Sequence, residues 1–425
     1  MIAWLLISFF VLLFLGVPIA MSLGLSAMGG ILFLGGGSTV TIAQRMFEGM
    51  NSFALLAIPL YTFAGFTMSK GGISKRLMDF CYSIVGHIYG GLAHVNVLSS
   101  MIFAGISGSA VADTAGVSGM FMPEMVRKGY SKNFTVAVTA ISSTIGIIIP
   151  PSIPMVVIAG ICGISTGKLF LGGIIPGILC GLAQMIVSYF LAKKEGVPKE
   201  PGHFTIGPVL HGLWESWPAL LMPIIIVGTI TMGIVSPTEA GVIAVVYGLF
   251  AGGIIYRELK WEDIKFAFAE TVRTSGRIFI VIGAAKLYTV MLTTAGFDKW
   301  VAKTMLGFST NPTVILIVIL LIFFIVTMFM ESIATLTLFM PILYPIALGG
   351  GIDPIVLSVL ITVVIGVGLV TPPVGMCIYV ACDLMDVTVG EVFPTLVPFI
   401  AATFVCIALM VAFPQLILLP TYLMA

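Results

Sequence analysis

The chain has 425 residues, of which 59% are hydrophobic and only 9% charged, with a formal net charge of +1. So little polar surface cannot cover a soluble globule of this length, whereas the near-neutral balance by itself says nothing about nucleic acid. Apolar runs of helical length recur from residue 2 to residue 420 between short polar connectors, which predicts an all-α polytopic membrane protein rather than a barrel of short alternating strands.

Residues 1–50 read as N-terminal scaffold helices. The first apolar run begins at Met1 with neither a basic leader nor a small-residue cleavage pattern, which predicts a retained helix. Arg45 lies beside a long apolar run, with Glu48 close by. An anion carried through a membrane needs a cation or several donors, so Arg45 is a candidate substrate contact, with an interfacial anchor as the other reading.

Residues 51–192 form a first repeat. Gly91 to Gly105 and Ser109 to Met122 give two arms that at 1.5 Å per residue reach only about 22 Å. That is short of the roughly 30 Å of hydrocarbon, and predicts a re-entrant hairpin over about 91–122 with SGSAVAD at its tip. A helix broken at GIIIPPSIP follows, over about 134–163. Irregular backbone at membrane depth needs partners, and a hard monovalent cation, which favours oxygen ligands, supplies them. Ser107, Gly108, Ser109 and Asp113 at the tip, with Gly146, Ile149 and Pro150 at the break, form the first candidate site. His87 and His94, with no third ligand nearby, are read as packing or interfacial residues.

Residues 193–274 comprise a polar connecting arm, KKEGVPKEPGHFTIGPVLHGLWES, and a central scaffold pair over roughly 217–255. Glu239, in SPTEAG, reads as an acid favoured by a helix N-terminus. The second repeat, 275–425, opens with Lys286 deep in apolar sequence, where it snorkels, pairs with a carboxylate or serves a site. A second hairpin over about 313–343, with MES at its turn, precedes a second broken helix over about 355–382 and a C-terminal helix. Met330, Glu331, Ser332, Thr335, Gly368, Thr371 and Pro372 form the second candidate cation site. With Arg45, the residues assigned to the substrate are Ser109, Asp113, Ser152 and Thr371. The six cysteines show no C-x-x-C spacing and read as buried small residues.

The two halves echo each other. SGSAVADTAGVSGMFMP aligns with FMESIATLTLFMP, setting Asp113 on Glu331. After four residues of slippage GIIIPPSIPM aligns with GLVTPPVGM, setting Pro150-Pro151 on Pro372-Pro373 and Pro176 on Pro398. Alone, Ser-Gly-Ser is a helix-packing surface and Pro-Pro a kink. In duplicate, inside apolar sequence, they point to a secondary transporter with sites near the bilayer midplane. The loop after the first hairpin carries Arg127, Lys128 and Lys132, whereas its counterpart PILYPIALGGGIDP has no Lys or Arg. By the positive-inside rule these loops face opposite sides, so the repeats are inverted.

The runs QRMFEGMNSFALLAIPLYTFAG, SGSAVADTAG, PPSIPMVVIAG, SPTEAGVIAVVYG and TPPVGMCIYV together resemble the large membrane subunit of tripartite ATP-independent periplasmic (TRAP) transporters, from about Ile42 to Leu419. The resemblance implies a sodium-driven importer of organic acids in the bacterial cytoplasmic (inner) membrane, working by an elevator mechanism with no cofactor beyond Na+ as coupling ion. It also implies two partners, a periplasmic substrate-binding protein and a small four-helix membrane subunit. Because the sequence opens near the large subunit's first helix, the small subunit is expected as a separate chain. By the same resemblance each hairpin tip and its break form one sodium site.

Two other classes remain in view. A stand-alone sodium-coupled dicarboxylate or citrate carrier of similar architecture would need no binding protein. An intramembrane enzyme is disfavoured, since the sequence lacks GxGD, HExxH and a Walker A loop.

Overall fold

The computed structural model describes residues 1–34, 38–197, 205–309 and 311–424. The part of the connecting arm at 198–204 lies outside the described residues. Among the described residues every element is helical. The N-terminal helices are α1 (Ile2–Phe14), α2 (Ile19–Leu34) and α3 (Thr39–Met50), the last capped by Ser38, followed by α4 (Ala57–Lys70) and the short amphipathic α5 (Ile73–Val85).

The first hairpin is α6 (Gly91–Ser107) and α7 (Ala110–Arg127), and the first broken helix is α8 (Lys132–Ser143) and α9 (Ile153–Cys162). Serine hydroxyls cap three of these starts: Ser109 for α7, Ser131 for α8 and Ser152 for α9. Next come α10 (Thr166–Lys194), α11 (Ile206–Thr231) and α12 (Pro237–Phe250). Ser236 and Glu239 form a capping box at the start of α12, so Glu239 does what its position implied.

The second half repeats the plan. It runs through α13 (Trp261–Thr294), α14 (Phe297–Phe308), the hairpin α15 (Pro312–Thr327) and α16 (Ser332–Gly349), the broken helix α17 (Pro354–Gly368) and α18 (Met376–Met385), and α19 (Val389–Ala412). The expected domain edge at 274/275 falls inside α13, which is one continuous helix of 34 residues. Its first turns carry Glu262, Asp263, Lys265, Glu270 and Arg273, and this polar run reads in sequence as a connector.

Elements α7 and α16, like α8 and α17, start at the same 222-residue interval (332 minus 110; 354 minus 132). The four-residue slippage is therefore unnecessary: Pro123 answers to Pro345, Ser109 to Glu331 and Asp113 to Thr335. The Phe-Met-Pro match behind the earlier pairing lies about one helical turn out of register. A shift of four residues keeps the same helix face, so the apolar pattern alone did not oppose it.

Seven helices among the described residues are long and apolar enough to span a membrane, including those containing α4, α10, α11, α12 and α13. The arms of the first hairpin have 17 and 18 residues, longer than the sequence suggested, and reach about 26 Å. Between the starts of α4 and α13, the helices long and apolar enough to cross a membrane are those containing α4, α10, α11 and α12.

Two apolar clusters organise the interior. The larger joins α4 to α12 with α15 to α19. The smaller brings Leu5 and Phe9 of α1 and Leu23 of α2 onto Ala284, Ala285 and Tyr288 of α13, and sets these against Met330, Ala334, Leu338 and Ile342. Those last four are spaced every fourth residue and make one stripe along the start of the second hairpin's returning arm.

Candidate functional site

At the first tip α6 ends at Ser107, and Gly108 turns the chain with φ +65. This left-handed conformation suits glycine, and a side chain there would also strike the Pro151 carbonyl. Ser109 is extended and its hydroxyl accepts from Ala112 N at 3.4 Å. The Ser107 hydroxyl donates to Asp113 Oδ1 and accepts from Ser109 N at 3.2 Å. Asp113 is fully buried, and its Oδ2 has no hydrogen-bond partner among the described residues.

That bare oxygen faces the first break. A Cβ on Gly146 would collide with Asp113 Oδ2, so glycine is what lets the carboxylate approach the broken backbone. Past Ser143 the helix tightens into a 3₁₀ turn at Thr144–Ile147, and Pro150-Pro151 is cis. The Ser152 hydroxyl donates to Ile147 O at 2.5 Å and accepts from Met155 N at 3.3 Å, tying both lips of the break. Ile153 N donates to Gly108 O at 3.2 Å, joining break to tip.

The second tip is built differently. Glu331 is the N-cap of α16: its Oε2 accepts from Ile333 N (2.9 Å) and Ala334 N (3.3 Å), and its Oε1 from the Ser332 hydroxyl (2.8 Å). Glu331 thus satisfies its own helix start, whereas Asp113 keeps one oxygen free. Thr335 donates to Glu331 O at 3.1 Å, and Thr371 to Val367 O at 2.7 Å, so both hydroxyls keep their lone pairs toward the surroundings. Val374 N donates to Met328 O at 3.0 Å, again joining break to tip, and Pro372-Pro373 is cis. Break one is buried almost throughout, while Val374 (41%) and Tyr379 (50%) leave the second break partly open.

The structure therefore brings Ser107, Gly108, Ser109 and Asp113 to the break at Gly146, Ile149, Pro150 and Ser152. It likewise brings Met330, Glu331, Ser332 and Thr335 to the segment holding Gly368, Thr371 and Pro372. Arg45 is elsewhere. It lies on α3, which packs on α13, and its guanidinium binds Glu48 at 2.7 Å. Lys286 of α13 reaches the same carboxylate at 3.7 Å, which answers how it is paired. The Arg45 hydrogen bond, with help from the Lys286 charge, holds the Glu48 carboxyl below its ordinary range.

A cavity of about 330 Å³ away from the tips is lined by Arg76, His211, Trp214, Trp217 and Tyr256. There Arg76 pairs with Glu258 at 2.7 Å and lies 4.2 Å from the centre of the Tyr256 ring, as an aromatic and basic belt at a membrane surface would. Sequence reasoning overlooked two residues beside the tips, Thr114 and Cys377. Both look like ordinary helix filler, and they stand on α7 and α18, which pack on each other.

Comparison with known proteins agrees with this architecture. The family described as "Tripartite ATP-independent periplasmic transporter, DctM component" matches residues 6–416. The sialic acid TRAP transporter large permease protein SiaM of Vibrio cholerae is 35% identical over 96% of this chain and 95% of its own length. The C4-dicarboxylate TRAP transporter large permease protein DctM of Pseudomonas aeruginosa is 36% identical, over 95% of this chain and 94% of its own. The isethionate TRAP transporter permease protein DctMQ of Oleidesulfovibrio alaskensis is 37% identical over 92% of this chain, which spans only 62% of that relative. Among solved structures, Neisseria gonorrhoeae MtrF superposes with a TM-score of 0.60 at 14% identity, over 88% of this chain and 84% of that one. The Alcanivorax borkumensis YdaH transporter gives 0.59 at 13%, covering 89% and 88%. At these identities the two structures speak to fold alone.

Proposed function

The chain belongs to the DctM component family of tripartite ATP-independent periplasmic transporters, and on that premise we propose that it is a sodium-coupled permease subunit that imports an organic acid. It is a multi-pass inner-membrane transport component and not an enzyme. A periplasmic binding protein delivers the acid, and a small four-helix membrane subunit completes the assembly. The relatives' names cover sialic acid, C4-dicarboxylates and 2,3-diketo-L-gulonate, all organic acids.

One observation carries the sodium reading. Asp113 is wholly buried and has an unpartnered oxygen aimed at the backbone break that Gly146 leaves open. A buried carboxylate without a partner is costly, and a monovalent cation among Asp113, the hydroxyls of Ser107 and Ser109 and the carbonyls of the break removes that cost. At the second tip Glu331 shapes the helix start, and the ion takes carbonyls with the hydroxyls of Ser332, Thr335 and Thr371. Substrate lies between the tips, near Ser109, Asp113, Ser152 and Thr371. Arg45 is left out of this reading because it stands on α3, paired with Glu48, and makes no hydrogen bond to either tip among the described residues.

Coupling follows. A carrier with an empty site buries unsatisfied charge and carbonyls, so it crosses reluctantly, and a carrier with both ions and substrate crosses readily. The moving body comprises α6 to α10 and α15 to α19. Its counterpart is a static frame of α1 to α5 and α11 to α14. The stripe from Met330 to Ile342 against Ala284, Ala285 and Tyr288 is the sliding surface. The test is sodium-titrated uptake by Asp113→Asn. This reading expects the half-saturating sodium concentration to rise about tenfold or more, roughly 1.4 kcal/mol of lost ion binding. An unchanged sodium dependence refutes the site.

A further inference from the structure

A buried polar ladder joins the first hairpin to its own broken helix. Asn96 and Ser100 stand one turn apart on α6, Thr139 and Ser142 face them from α8, and all four are fully buried. Asn96 Nδ2 donates to Thr139 Oγ1 at 2.7 Å, Asn96 Oδ1 accepts from the Ser142 hydroxyl at 3.1 Å, and the Ser100 hydroxyl donates to Ser142 Oγ at 3.0 Å. These bonds advance four residues along α6 and three along α8, so the two helices run side by side in the same direction. The second repeat is built without them. Its arm α15 is apolar without interruption over residues 314–326, and on α17 the hydroxyls of Ser358 and Thr362 donate within their own helix, to Pro354 O at 2.6 Å and Ser358 O at 2.9 Å. Among the described residues α15 and α17 therefore meet through apolar side chains.

We propose that Asn96 is a positioning residue that fixes the register of the first hairpin on its broken helix and so holds the first cation site assembled, an inference that rests on the sodium reading above. An apolar seam tolerates a slip of one turn, because the same helix face returns after four residues. A buried amide does not, since the slip strips it of partners where no water replaces them. A single buried Asn sets register between coiled-coil helices for the same reason. Here the register has a use. α6 ends at Ser107, about three turns beyond Asn96, and the Gly108 carbonyl that follows accepts from Ile153 N at 3.2 Å. How α6 sits on α8 thus sets how far the tip reaches, and with it the placement of Asp113 Oδ2 beside Gly146.

The experiment measures initial uptake against sodium concentration in proteoliposomes holding the complete transporter, for wild type, Asn96→Leu, Thr139→Val, Thr139→Ser and Ser358→Ala. In Asn96→Leu the hydroxyls left behind stay bonded within α8, Thr139 to Thr135 O at 2.8 Å and Ser142 to Thr139 O at 3.2 Å, so the variant buries no orphan and should reach the membrane. A loosened tip is competent for only part of the time, and apparent affinity falls by that fraction. Half-saturating sodium should rise about fivefold in Asn96→Leu and Thr139→Val, with uptake at saturating sodium within about twofold of wild type. Thr139→Ser keeps the hydroxyl that Asn96 meets and should behave as wild type. Ser358→Ala removes an equally buried hydroxyl whose bond stays within α17, and should leave sodium dependence unmoved. If Asn96→Leu is lost from the membrane, the two Thr139 variants decide alone. Unchanged half-saturating sodium in the Asn96→Leu and Thr139→Val variants, whatever their maximal rate, would make the ladder mere packing and overturn the proposal, as would loss of both from the membrane or an equal shift in Ser358→Ala. Wild-type uptake indifferent to sodium overturns the underlying reading, and this one with it, before any variant is compared.

Discussion

Asp113 and Glu331 are the two acids nearest the tips, and they are not equivalent. Asp113 has one oxygen bound to Ser107 and one bare, whereas both oxygens of Glu331 are taken by the first turn of α16. Glu331→Gln, whose remaining carbonyl still caps Ile333 or Ala334, should therefore change half-saturating sodium less than Asp113→Asn does. Glu331→Ala removes the cap and should destabilise the protein by about 1 kcal/mol, read as a lower midpoint of thermal unfolding in detergent. The sequence placed both acids in the right neighbourhoods but paired them with each other. A slip of one helical turn preserves the apolar face, so nothing in the residue pattern penalised it, and only the starts of α7 and α16 reveal that Ser109 answers to Glu331.

At the scale of elements, the sharp turn between α6 and α7 depends on Gly108. Gly108→Ala forces an L side chain into the left-handed region at a cost of about 1–2 kcal/mol and pushes its Cβ onto the Pro151 carbonyl. Sodium-dependent uptake should fall steeply, while the amount of protein in the membrane, measured by immunoblot, stays near wild type. The junction of α3 and α13 is held by Glu48 between Arg45 and Lys286. Because these partners depress the Glu48 carboxyl, its contribution is full above the ordinary carboxylate value of 4.5 and is lost as pH falls through the lower folded value. The difference in melting temperature between wild type and Glu48→Gln should be small and constant from pH 7 to about 5, and should vanish on further acidification. A difference that grows toward low pH would contradict the pairing. The hairpins and broken helices were legible because short arms and paired prolines interrupt apolar sequence. The continuity of α13 was not, because its polar first turns resemble a connector until the helix is seen to run through them.

At the scale of the whole molecule, the elements from α4 to α10 and from α13 to α19 follow one plan twice, with α11 and α12 between them. The duplication was legible because it rests on helix-breaking residues, whose places the fold must keep. What sequence could not supply was tertiary pairing: that Arg45 and Lys286 share Glu48, and that each hairpin leans on the other repeat's broken helix. Apart from the Arg45–Glu48 pair within one helix, those contacts join residues far apart in the chain, and no local pattern encodes them. They also set each candidate site against an element of the other repeat, so transport should depend on both tips at once and on the partners that deliver substrate.

The central claim is sodium-driven import of an organic acid by this chain with its partners. The most direct test is uptake of labelled sialic acid and C4-dicarboxylates into proteoliposomes holding this chain, a small membrane subunit and a periplasmic binding protein, with and without an inward sodium gradient. The prediction is uptake of one such acid that needs all three proteins and the gradient, and that is severely weakened at moderate sodium by Asp113→Asn. Uptake by this chain alone would favour a stand-alone carrier, and uptake by the full assembly at the same rate without sodium would contradict the account.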